Sequence, residues 1–581
     1  MGLRRVTAFV LAGALFVAAC GDSKEGGETS DTTAGGGVAP TTTTSTPVKG
    51  GTITMGMFSE AAGLDPIVST GSGVTGAIEM LAIYDSVMRW DPETGKYEPR
   101  TAESLTSTDL TVWTLKIKPN IKFSDGTDYD ADAVMFSLNR HRSGLAGAPP
   151  CEEIRACPRN TTSSAGYMVN VKSMAVKDKL TLEITLTEPW GEFPWVLADE
   201  PGMVPSPTAM KTACPADKTK TPRDCTAYNL IPIGAGPFFI DRFVPKESIT
   251  MKRNDKYWGG EVYLDGLKFV DGRDAGSNST YDAFRAGTFQ MAFLRDPKAV
   301  AAAKADKVSG YSAVQHGGAG TLMNTGLKVN CAAGAPAPIC VGKPDGALDT
   351  NPPTKSLTVR KAVAAAVDPK TVDQRAYDGK GRPSTELFQK DFKFYPGVAG
   401  PAYNPDEAKR LVTQAKAEGW NGKIRYLCNN TPAGQARGLA IESMLRLAGM
   451  EVEIDVTKDV TSHVNQYIVL RDFDLTCAGF PLASDGNAFA AMVQQFNPGG
   501  ASNRTGWNNA KVGDALKAYK AAKTDAERTA AAKIITEEYV KDVPFLVEGA
   551  IEEFIIWNPK VKGAVFTSGT ELYFDKVYLE K

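Results

Sequence analysis

Histidine is scarce in this chain, and the short signatures of enzymes and metal sites are missing. The 581 residues include three histidines, His141, His316 and His463, which lie far apart in sequence. The chain contains no C-x-x-C, H-E-x-x-H, S-x-x-K or G-x-S-x-G motif. A hydrolase needs a nucleophile, a base and an oxyanion site, so these absences argue against one, and they also argue against a metal site or a cofactor. A catalytic carboxylate pair stays open, since 67 acidic residues always offer some pair.

Neither sign of charge dominates, and long apolar runs are absent after the first twenty residues. The 65 basic residues nearly balance the 67 acidic ones, for a net charge of −2, and they are spread evenly. No basic stripe indicates nucleic-acid binding, and no later run is long enough to span a membrane. With 42% hydrophobic residues the chain can bury a substantial core. Its length predicts two or three domains.

The N-terminus has the pattern of an export signal that ends in a cysteine. Arg4 and Arg5 precede an apolar run over residues 6–17, which is too short to span a bilayer. The sequence Val-Ala-Ala-Cys20 resembles the lipobox of bacterial lipoproteins, and a plain secretory signal is the alternative. We therefore expect residues 1–20 to be a lipoprotein signal peptide with Cys20 as the lipidation site. The mature chain would lie at the outer face of the cytoplasmic membrane or in the periplasm, anchored by acyl chains.

Residues 21–50 are rich in Gly, Thr, Ser, Asp and Glu and have almost no bulky apolar side chain. Such a segment cannot bury enough surface to offset its chain entropy, so we expect a flexible tether.

The eight cysteines after Cys20 are an even number, which predicts disulfides in an exported chain. Cys428 ends one strand-like run and Cys477 lies within another, so they can bond if those strands are neighbours in one sheet. A metal site is the weaker alternative, because the spacing of metal ligands is absent. The other three predicted pairs are close in sequence: Cys151–Cys157, Cys214–Cys225 and Cys331–Cys340.

Hydrophobic periodicity predicts strands and helices of a mixed α/β protein. Predicted strands cover residues 51–58, 111–118, 181–187, 238–243, 249–253, 423–427, 452–456 and 473–478. Predicted helices cover residues 77–89, 130–140, 359–367, 404–419, 436–447, 463–470 and 524–540. The last three strands alternate with helices, which predicts a parallel sheet with helices over it. The predicted strands and helix within residues 97–187 indicate a small α+β unit.

Four stretches of the chain match a known family in order and spacing. They are IYDSVMRWDPETGKYEPRTAESLTSTDLTVWTLKIKPNIKFSDGTDYDADAVMFSLNR from Ile83, GAGPFFIDRFVPKESITMKRNDKYWGG from Gly234, VRKAVAAAVDPKTV from Val359 and YNPDEAKRLVTQA from Tyr403. With them the chain resembles the family 5 extracellular solute-binding proteins of bacterial ABC transporters, the oligopeptide-, dipeptide- and nickel-binding type. The resemblance covers nearly everything after the tether.

The resemblance implies a two-lobed periplasmic-binding-protein-like fold with an extra small domain in lobe I. Lobe I would comprise residues 51–323, with the extra α+β subdomain at about 97–187, and lobe II residues 324–540. Residues 541–581 would return to lobe I. The chain would cross between the lobes near 321–327 and return near 541–545. Ligand contacts to both lobes at once would drive closure about these crossovers.

The resemblance places one side of a binding site in the loop after the strand at 473–478. Phe480 matches the family's aromatic residue, and Asp485 is the only acid in the loop. The aspartate that receives the α-amino group of the ligand in peptide-binding relatives falls at Ala483 here. Asp485 is therefore either a ligand contact, together with Asn487, or the cap of the next helix.

The other predicted ligand contacts are in lobe I and near the end of lobe II. Ser69, Thr70 and Ser72 match a family loop that lines the cleft, although a merely polar loop is the alternative. Trp507 either stacks on the ligand or packs in the core. Dipeptide-binding relatives carry an arginine in the loop matching residues 428–435, and this chain has none there. A small zwitterionic peptide is therefore less expected than a longer peptide or a neutral solute.

The implied function is capture of a peptide or other organic solute and its delivery to an ABC import permease. We expect a monomer that works with permease and ATPase subunits and is not an enzyme. One alternative is a lipoprotein of the same fold with a regulatory or scaffolding role in the cell envelope. The second alternative is an exported hydrolase.

Overall fold

A computed structural model describes residues 46–61, 63–68, 76–91, 94–142, 168–215, 225–271, 276–331, 340–343, 346–480, 482, 486–500, 503–567 and 569–581. These residues all belong to the unit formed by residues 37–581. None of the described helices has the length and apolar character needed to cross a membrane.

The described residues form 23 strands, numbered here in chain order. They are β1 Thr52–Met57, β2 Met88–Asp91, β3 Lys96–Pro99, β4 Ala102–Thr106, β5 Val112–Ile117, β6 Val171–Asp178, β7 Thr181–Leu186, β8 Phe238–Val244, β9 Ser248–Arg253, β10 Gly266–Asp271, β11 Met291–Leu294, β12 Gly310–Met323, β13 Lys328–Cys331, β14 Gly346–Asp349, β15 Arg382–Pro383, β16 Lys423–Asn429, β17 Glu451–Lys458, β18 Leu475–Cys477, β19 Phe545–Trp557, β20 Val561–Lys562, β21 Val565–Phe566, β22 Leu572–Tyr573 and β23 Tyr578–Leu579.

The α-helices of the described residues are also numbered in chain order. They are α1 Ala77–Tyr84, α2 Ala131–Arg142, α3 Phe193–Val196, α4 Pro207–Ala213, α5 Thr226–Leu230, α6 Gly276–Arg285, α7 Pro297–Ala305, α8 Leu357–Ala366, α9 Pro369–Tyr377, α10 Pro405–Ala417, α11 Pro432–Leu447, α12 Val460–Val464, α13 Gly486–Phe496, α14 Ala510–Ala521 and α15 Asp525–Asp542. Short 3₁₀ turns occur at Glu200–Gly202 and Pro353–Lys355, and a π-helical turn at Asn465–Leu470.

One mixed sheet of eleven strands forms the frame of the molecule. Its order is β17-β16-β18-β12-β19-β11-β1-β10-β9-β8, with β15 added beside β19. On one side β16 lies parallel to β17 and β18, which confirms the predicted parallel sheet. On the other side β1 lies parallel to β10 and β11. The antiparallel pair β12–β19 joins these two parallel groups, so the fold has the two lobes that were expected.

A four-stranded antiparallel sheet in the order β4-β5-β7-β6 forms the extra small domain. Alternate residues of β5 and β7, such as Trp113, Leu115 and Leu182, are buried, as the alternating sequence predicts. Helix α2 packs against this sheet, and the Asp130 carboxylate accepts a hydrogen bond from the Ala133 N–H at 3.1 Å. The predicted cap of this helix is therefore confirmed.

Two other helix starts have the caps that the sequence predicts. The Asn404 side chain accepts a hydrogen bond from the Glu407 N–H at 3.0 Å, with proline in the first turn of α10. Thr524 and Glu527 form a capping box that opens α15. Each cap satisfies N–H groups that have no partner within the helix.

Three predicted elements differ from the structure. The helix predicted over 77–89 ends at Tyr84, because Asp85 adopts a left-handed conformation with φ of 59°, and β2 follows. The helix predicted over 463–470 begins at Val460 and becomes a π-helical turn over Asn465–Leu470. The strand predicted over 473–478 is shortened to β18, since only Leu475–Cys477 pair with neighbouring strands.

Three of the four predicted disulfides lie within the described residues and are present. Cys428 of β16 bonds to Cys477 of β18, with Cα atoms 5.0 Å apart, because these strands are neighbours. Cys214 bonds to Cys225 and Cys331 to Cys340. Cys151 and Cys157 lie outside the described residues, as does Cys20.

Candidate functional site between the lobes

The strands β12 and β19 carry the chain from one lobe to the other. Near its start β12 pairs with the end of β19, which also pairs with β11. Near its end, Thr321–Met323 pair with β18. The register between the two strands is irregular from Gln315 to Gly320. In β12 this irregular stretch lies just before the crossover expected at residues 321–327. Its partner residues in β19 lie just after the return expected at residues 541–545.

The loop after β18 is hydrogen-bonded directly to this irregular stretch. The Phe480 N–H donates to the Gly317 carbonyl at 2.8 Å. His316 and Leu482 exchange two backbone hydrogen bonds, at 2.9 and 3.0 Å. A Cβ at Gly479 would collide with the Gly318 carbonyl, so only glycine allows this close approach. The predicted ligand-binding loop and the crossover strand thus form one connected structure.

Phe480 and Trp507 lie in the same aromatic cluster, beside the crossover strand β19. The Phe480 ring centroid lies 4.6 Å from that of Phe545 and 5.2 Å from that of Phe496. The Trp507 ring contacts the same two rings, and its Nε1–H donates to Asp542 at 3.0 Å. Phe480 is 0% exposed and Trp507 4% exposed. Both side chains therefore have core partners, and their predicted contacts with a ligand remain predictions.

A buried ion pair connects lobe II to both crossover strands. Arg437 of α11 lies with Nε 2.7 Å from Glu548 Oε2 of β19, and its Nη2 donates to the Gly320 carbonyl of β12. The other Glu548 oxygen accepts from the Thr321 hydroxyl at 2.7 Å. Arg437 is thus engaged with the protein's own carboxylate. Sequence reasoning missed this pair, because Glu548 is 111 residues away and carries no local signal.

His316 is the buried polar residue at the point where the crossover strand meets the loop. The Gln389 N–H donates to its Nδ1 at 3.2 Å, and Asp391 lies 3.9 Å from the same atom. Its Nε2 has no hydrogen-bond partner among the described residues. Burial lowers the pKa of His316 to about 4, although Asp391 opposes the shift. The imidazole is therefore neutral at pH 7.

On the lobe I side, Arg295 follows directly after β11 and pairs with a buried carboxylate. Its Nε lies 3.2 Å from Glu553 Oε1 of β19. The Thr570 hydroxyl donates to the other Glu553 oxygen at 2.9 Å, and Gln315 donates to it at 3.3 Å. Because Gln315 begins the irregular stretch, this polar group connects the carboxyl end of a lobe I strand to the crossover.

The small domain and the residues just after it also contact the helices that precede β19. The Trp190 ring meets Phe489 of α13 edge to face, with centroids 5.6 Å apart. Lys520 of α14 lies 5.5 Å from the Trp190 ring and donates to Asn170 at 2.6 Å. Residues distant in sequence therefore hold these two regions together through the protein's own side chains.

Several predicted site residues lie outside the described residues: Ser69, Thr70, Ser72 and Asp485. Asn487 is the second residue of α13. The capping role and the binding role of Asp485 thus both remain predictions. Among the described residues, no group of three or more His, Cys, Asp or Glu side chains could hold a metal ion.

Comparison with known proteins agrees with this architecture. A family model described as bacterial extracellular solute-binding proteins, family 5 Middle, matches residues 96–503. The dipeptide-binding protein DppE of Bacillus subtilis is 24% identical over 489 residues, which cover 81% of each chain. The glutathione-binding protein GsiB of Escherichia coli is 23% identical over 316 residues, 54% of this chain, and the chain spans only 52% of its length.

A solved structure has the same fold. The oligopeptide-binding protein AppA of Bacillus subtilis, in complex with a nonapeptide, has a TM-score of 0.71 at 18% identity, covering 92% of this chain and 100% of AppA. The family model and this fold together define an extracellular solute-binding protein. The chain belongs to family 5 of the bacterial extracellular solute-binding proteins.

Proposed function

We propose that this protein captures a peptide or other organic solute between its two lobes and delivers it to an ABC import permease. The observation that carries the proposal is the fold, in which β12 and β19 join two parallel-stranded lobes in a chain of this family. Peptides are the favoured class because the relatives compared above are named for binding dipeptides and glutathione, or hold a nonapeptide. Binding, and not catalysis, is the proposed activity.

The irregular pairing of β12 and β19 supports a hinge at residues 315–320 and 547–551. A regular two-stranded ladder resists bending, whereas a bulge interrupts hydrogen bonds and allows a local change of twist. The loop at 478–482 is bonded to this stretch, so a ligand that contacts the loop acts directly on the hinge. The expected lobes were lobe I at 51–323, with the small domain at 97–187, lobe II at 324–540 and the return to lobe I at 541–581. In this proposal the boundaries between the lobes shift by a few residues.

The proposed ligand contacts are the loop from Phe480 to Asn487 and the loop from Ser69 to Ser72, with Trp507 as support behind the first. Asp485 is the residue to change first. If it meets a ligand amine or hydroxyl, Asp485→Ala lowers affinity by about 1–3 kcal/mol. If it only caps α13, stability falls by about 1 kcal/mol and affinity is nearly unchanged. Calorimetry with an identified ligand and thermal unfolding of the same variant separate these roles.

The test of the function is the identity of the bound solute. The protein is purified without denaturation, and the solute it carries is released and identified by mass spectrometry. A peptide that rebinds in calorimetry, and whose uptake stops in a deletion strain, supports the proposal. A protein that carries no solute and binds no member of a peptide library contradicts it.

Membrane attachment through Cys20 is proposed on the lipobox-like sequence. Cys20→Ser is expected to release the protein into the medium or to leave an unprocessed precursor. Unchanged size and membrane retention of that variant would contradict lipidation. The proposed partners are one permease with its ATPase subunits, bound by a monomer.

A regulatory or scaffolding role is the second candidate. The contact of Trp190 with Phe489 supports it, since the protein's own side chains bridge the segment after the small domain and α13. The uptake measurement separates the two candidates. A deletion strain with normal peptide uptake but altered envelope assembly would favour the scaffold.

A further inference from the structure

Glu79 is a buried carboxylate without a charged partner among the described residues. It is the third residue of α1 and is 1% exposed. Within the described part of the chain, its Oε2 atom has no hydrogen-bond partner. Burial raises the pKa of Glu79 to about 7, and a backbone hydrogen bond opposes the shift only in part. Buried carboxylates are normally paired or bound to a cation, and Glu79 has neither kind of partner among the described residues.

Glu79 lines a small pocket with two more carboxylates. Glu60 and Glu247 are on its wall, together with the hydroxyl residues Ser59 and Ser248. Its other described lining residues are apolar, and none is a lysine, arginine or histidine. The pocket therefore places carboxylates beside apolar walls, which strengthen the field of any charge they carry.

The pocket lies at the edge of the lobe I sheet where parallel strands end. Met57 is the last residue of β1, and Val270 is the next-to-last residue of the parallel strand β10. Both residues line the pocket. Ser248 pairs with Val270, which brings the β8–β9 turn to the same edge. Ligands of open α/β sheets bind at the carboxyl ends of parallel strands. The pocket is thus on the edge from which a solute between the lobes would be contacted.

Its size and donor set restrict the chemistry of the occupant. The cavity volume is about 10 Å³, which is close to the minimum for a group the size of one water molecule. A planar guanidinium is larger than this space. Since no group of acidic side chains in the described part of the chain could hold a metal ion, an organic cation fits better than a metal.

We propose that Glu79 receives a primary ammonium group of the captured solute. The proposal rests on the proposed function, and it names the class of solute as one with a free amine, at a peptide N-terminus or on a lysine-type side chain. The ammonium donates to the unpartnered Oε2, and Glu60 and Glu247 add long-range attraction. Glu79 is then a specificity-determining residue of lobe I.

The test uses matched tetrapeptides of alanine that differ only in their amines. In the first series, a peptide with lysine at a given position is compared with one that has the uncharged analogue norleucine at the same position. In the second series, a peptide with a free N-terminus is compared with one whose N-terminus is acetylated. Affinities for the wild type, Glu79→Gln and the control Glu98→Gln are measured by calorimetry at pH 8. Glu98 is an exposed acid of β3, so its variant removes the same charge away from the pocket.

In one of the two series the amine-bearing peptide is expected to bind the wild type and Glu98→Gln at least tenfold more tightly than its neutral match. Glu79→Gln is expected to lose that preference and to keep its affinity for the neutral peptide. Equal binding of both peptides by the wild type, or the same preference in Glu79→Gln, would overturn the assignment and leave peptide capture intact. Failure to bind any peptide would refute peptide capture as well.

A second measurement needs neither a variant nor a peptide. Ethylammonium chloride is expected to raise the Tm of the wild type above the value in an equal concentration of tetramethylammonium chloride, which cannot donate a hydrogen bond. Equal Tm values in the two salts would overturn the proposal even if Glu79→Gln fails to fold.

Discussion

Arg437 of α11 and Glu548 of β19 form a buried ion pair, with side chains 11% and 2% exposed and Nε 2.7 Å from Oε2. The pair holds a helix of lobe II against both crossover strands, since Arg437 also donates to Gly320 and Glu548 accepts from Thr321. Each charge depends on the other, because both side chains are largely withdrawn from water.

Breaking this pair is expected to destabilise the fold strongly. Glu548→Gln leaves the Arg437 guanidinium buried without its counter-charge, which should lower the free energy of unfolding by about 3–5 kcal/mol. The exposed pair Lys423–Glu451, with both side chains 64% exposed, is the control, and Glu451→Gln should change stability by about 0–1 kcal/mol. Urea unfolding of the two variants measures the difference. Equal, small effects would show that the pair is solvated.

The disulfide Cys428–Cys477 is expected to contribute more stability than Cys214–Cys225. It closes a loop of sequence separation 49 against 11. The chain-entropy model assigns about 4 kcal/mol to the longer loop and about 3 kcal/mol to the shorter one. Double serine variants of each pair, compared by denaturant unfolding, measure both values. Peptide mapping without reduction checks the pairing first, and free thiols at 428 and 477 would contradict it.

Glu79 should make the protein less stable as the pH rises from 4.5 to about 7. Its pKa rises from 4.5 in the unfolded chain to about 7 in the folded one, so the folded state binds more protons between these values. The stabilising contribution is complete below pH 4.5 and is lost as the pH approaches 7, by roughly 3 kcal/mol in total. Glu79→Gln removes this dependence and should raise the Tm relative to wild type at pH 8 but not at pH 4.5. Parallel Tm profiles of the two proteins from pH 4.5 to 8 would contradict the prediction.

The contact of Trp190 with Phe489 should favour the closed arrangement of the lobes. Such aromatic pairs contribute about 0.5–1.5 kcal/mol beyond their buried area. Trp190→Ala is therefore expected to increase the radius of gyration in solution scattering and to weaken ligand affinity about two- to tenfold. Val112→Ala, at a 38% exposed residue of the neighbouring small domain, is the control. A Trp190→Ala protein with an unchanged radius and affinity would show that this contact has no part in closure.

Local signals made much of the architecture predictable. The cap at Asn404, the capping box at Thr524 and the alternation in Thr111–Lys118 each depend on neighbouring residues, and the structure has the corresponding elements. The strand order was harder, because the β-α-β-α-β pattern predicts a parallel sheet but not which strands are neighbours. The structure places β16 beside β18, and this adjacency allows the Cys428–Cys477 bond.

The polar groups of the candidate site were not predictable in the same way. Arg437 with Glu548, and Arg295 with Glu553, are pairs between distant parts of the chain, and their residue types are common on any surface. The unpartnered state of Glu79 depends on how tightly lobe I packs around it, which hydrophobic periodicity does not specify. The irregular pairing of β12 and β19 at 315–320 was not predictable either, because a bulge depends on the pairing of two strands and not on either sequence alone.

The late position of β19 in the chain has a consequence for biogenesis. Both β11 and β12 pair with it, so a growing chain that lacks residues 545–557 leaves two strand edges of the main sheet uncovered. Asp575, still later, bonds to Arg89 and Arg100 of the first lobe. Neither lobe can therefore complete its sheet before β19 is available. The strands synthesised earlier keep uncovered edges until then, so stable folding waits for β19 to emerge.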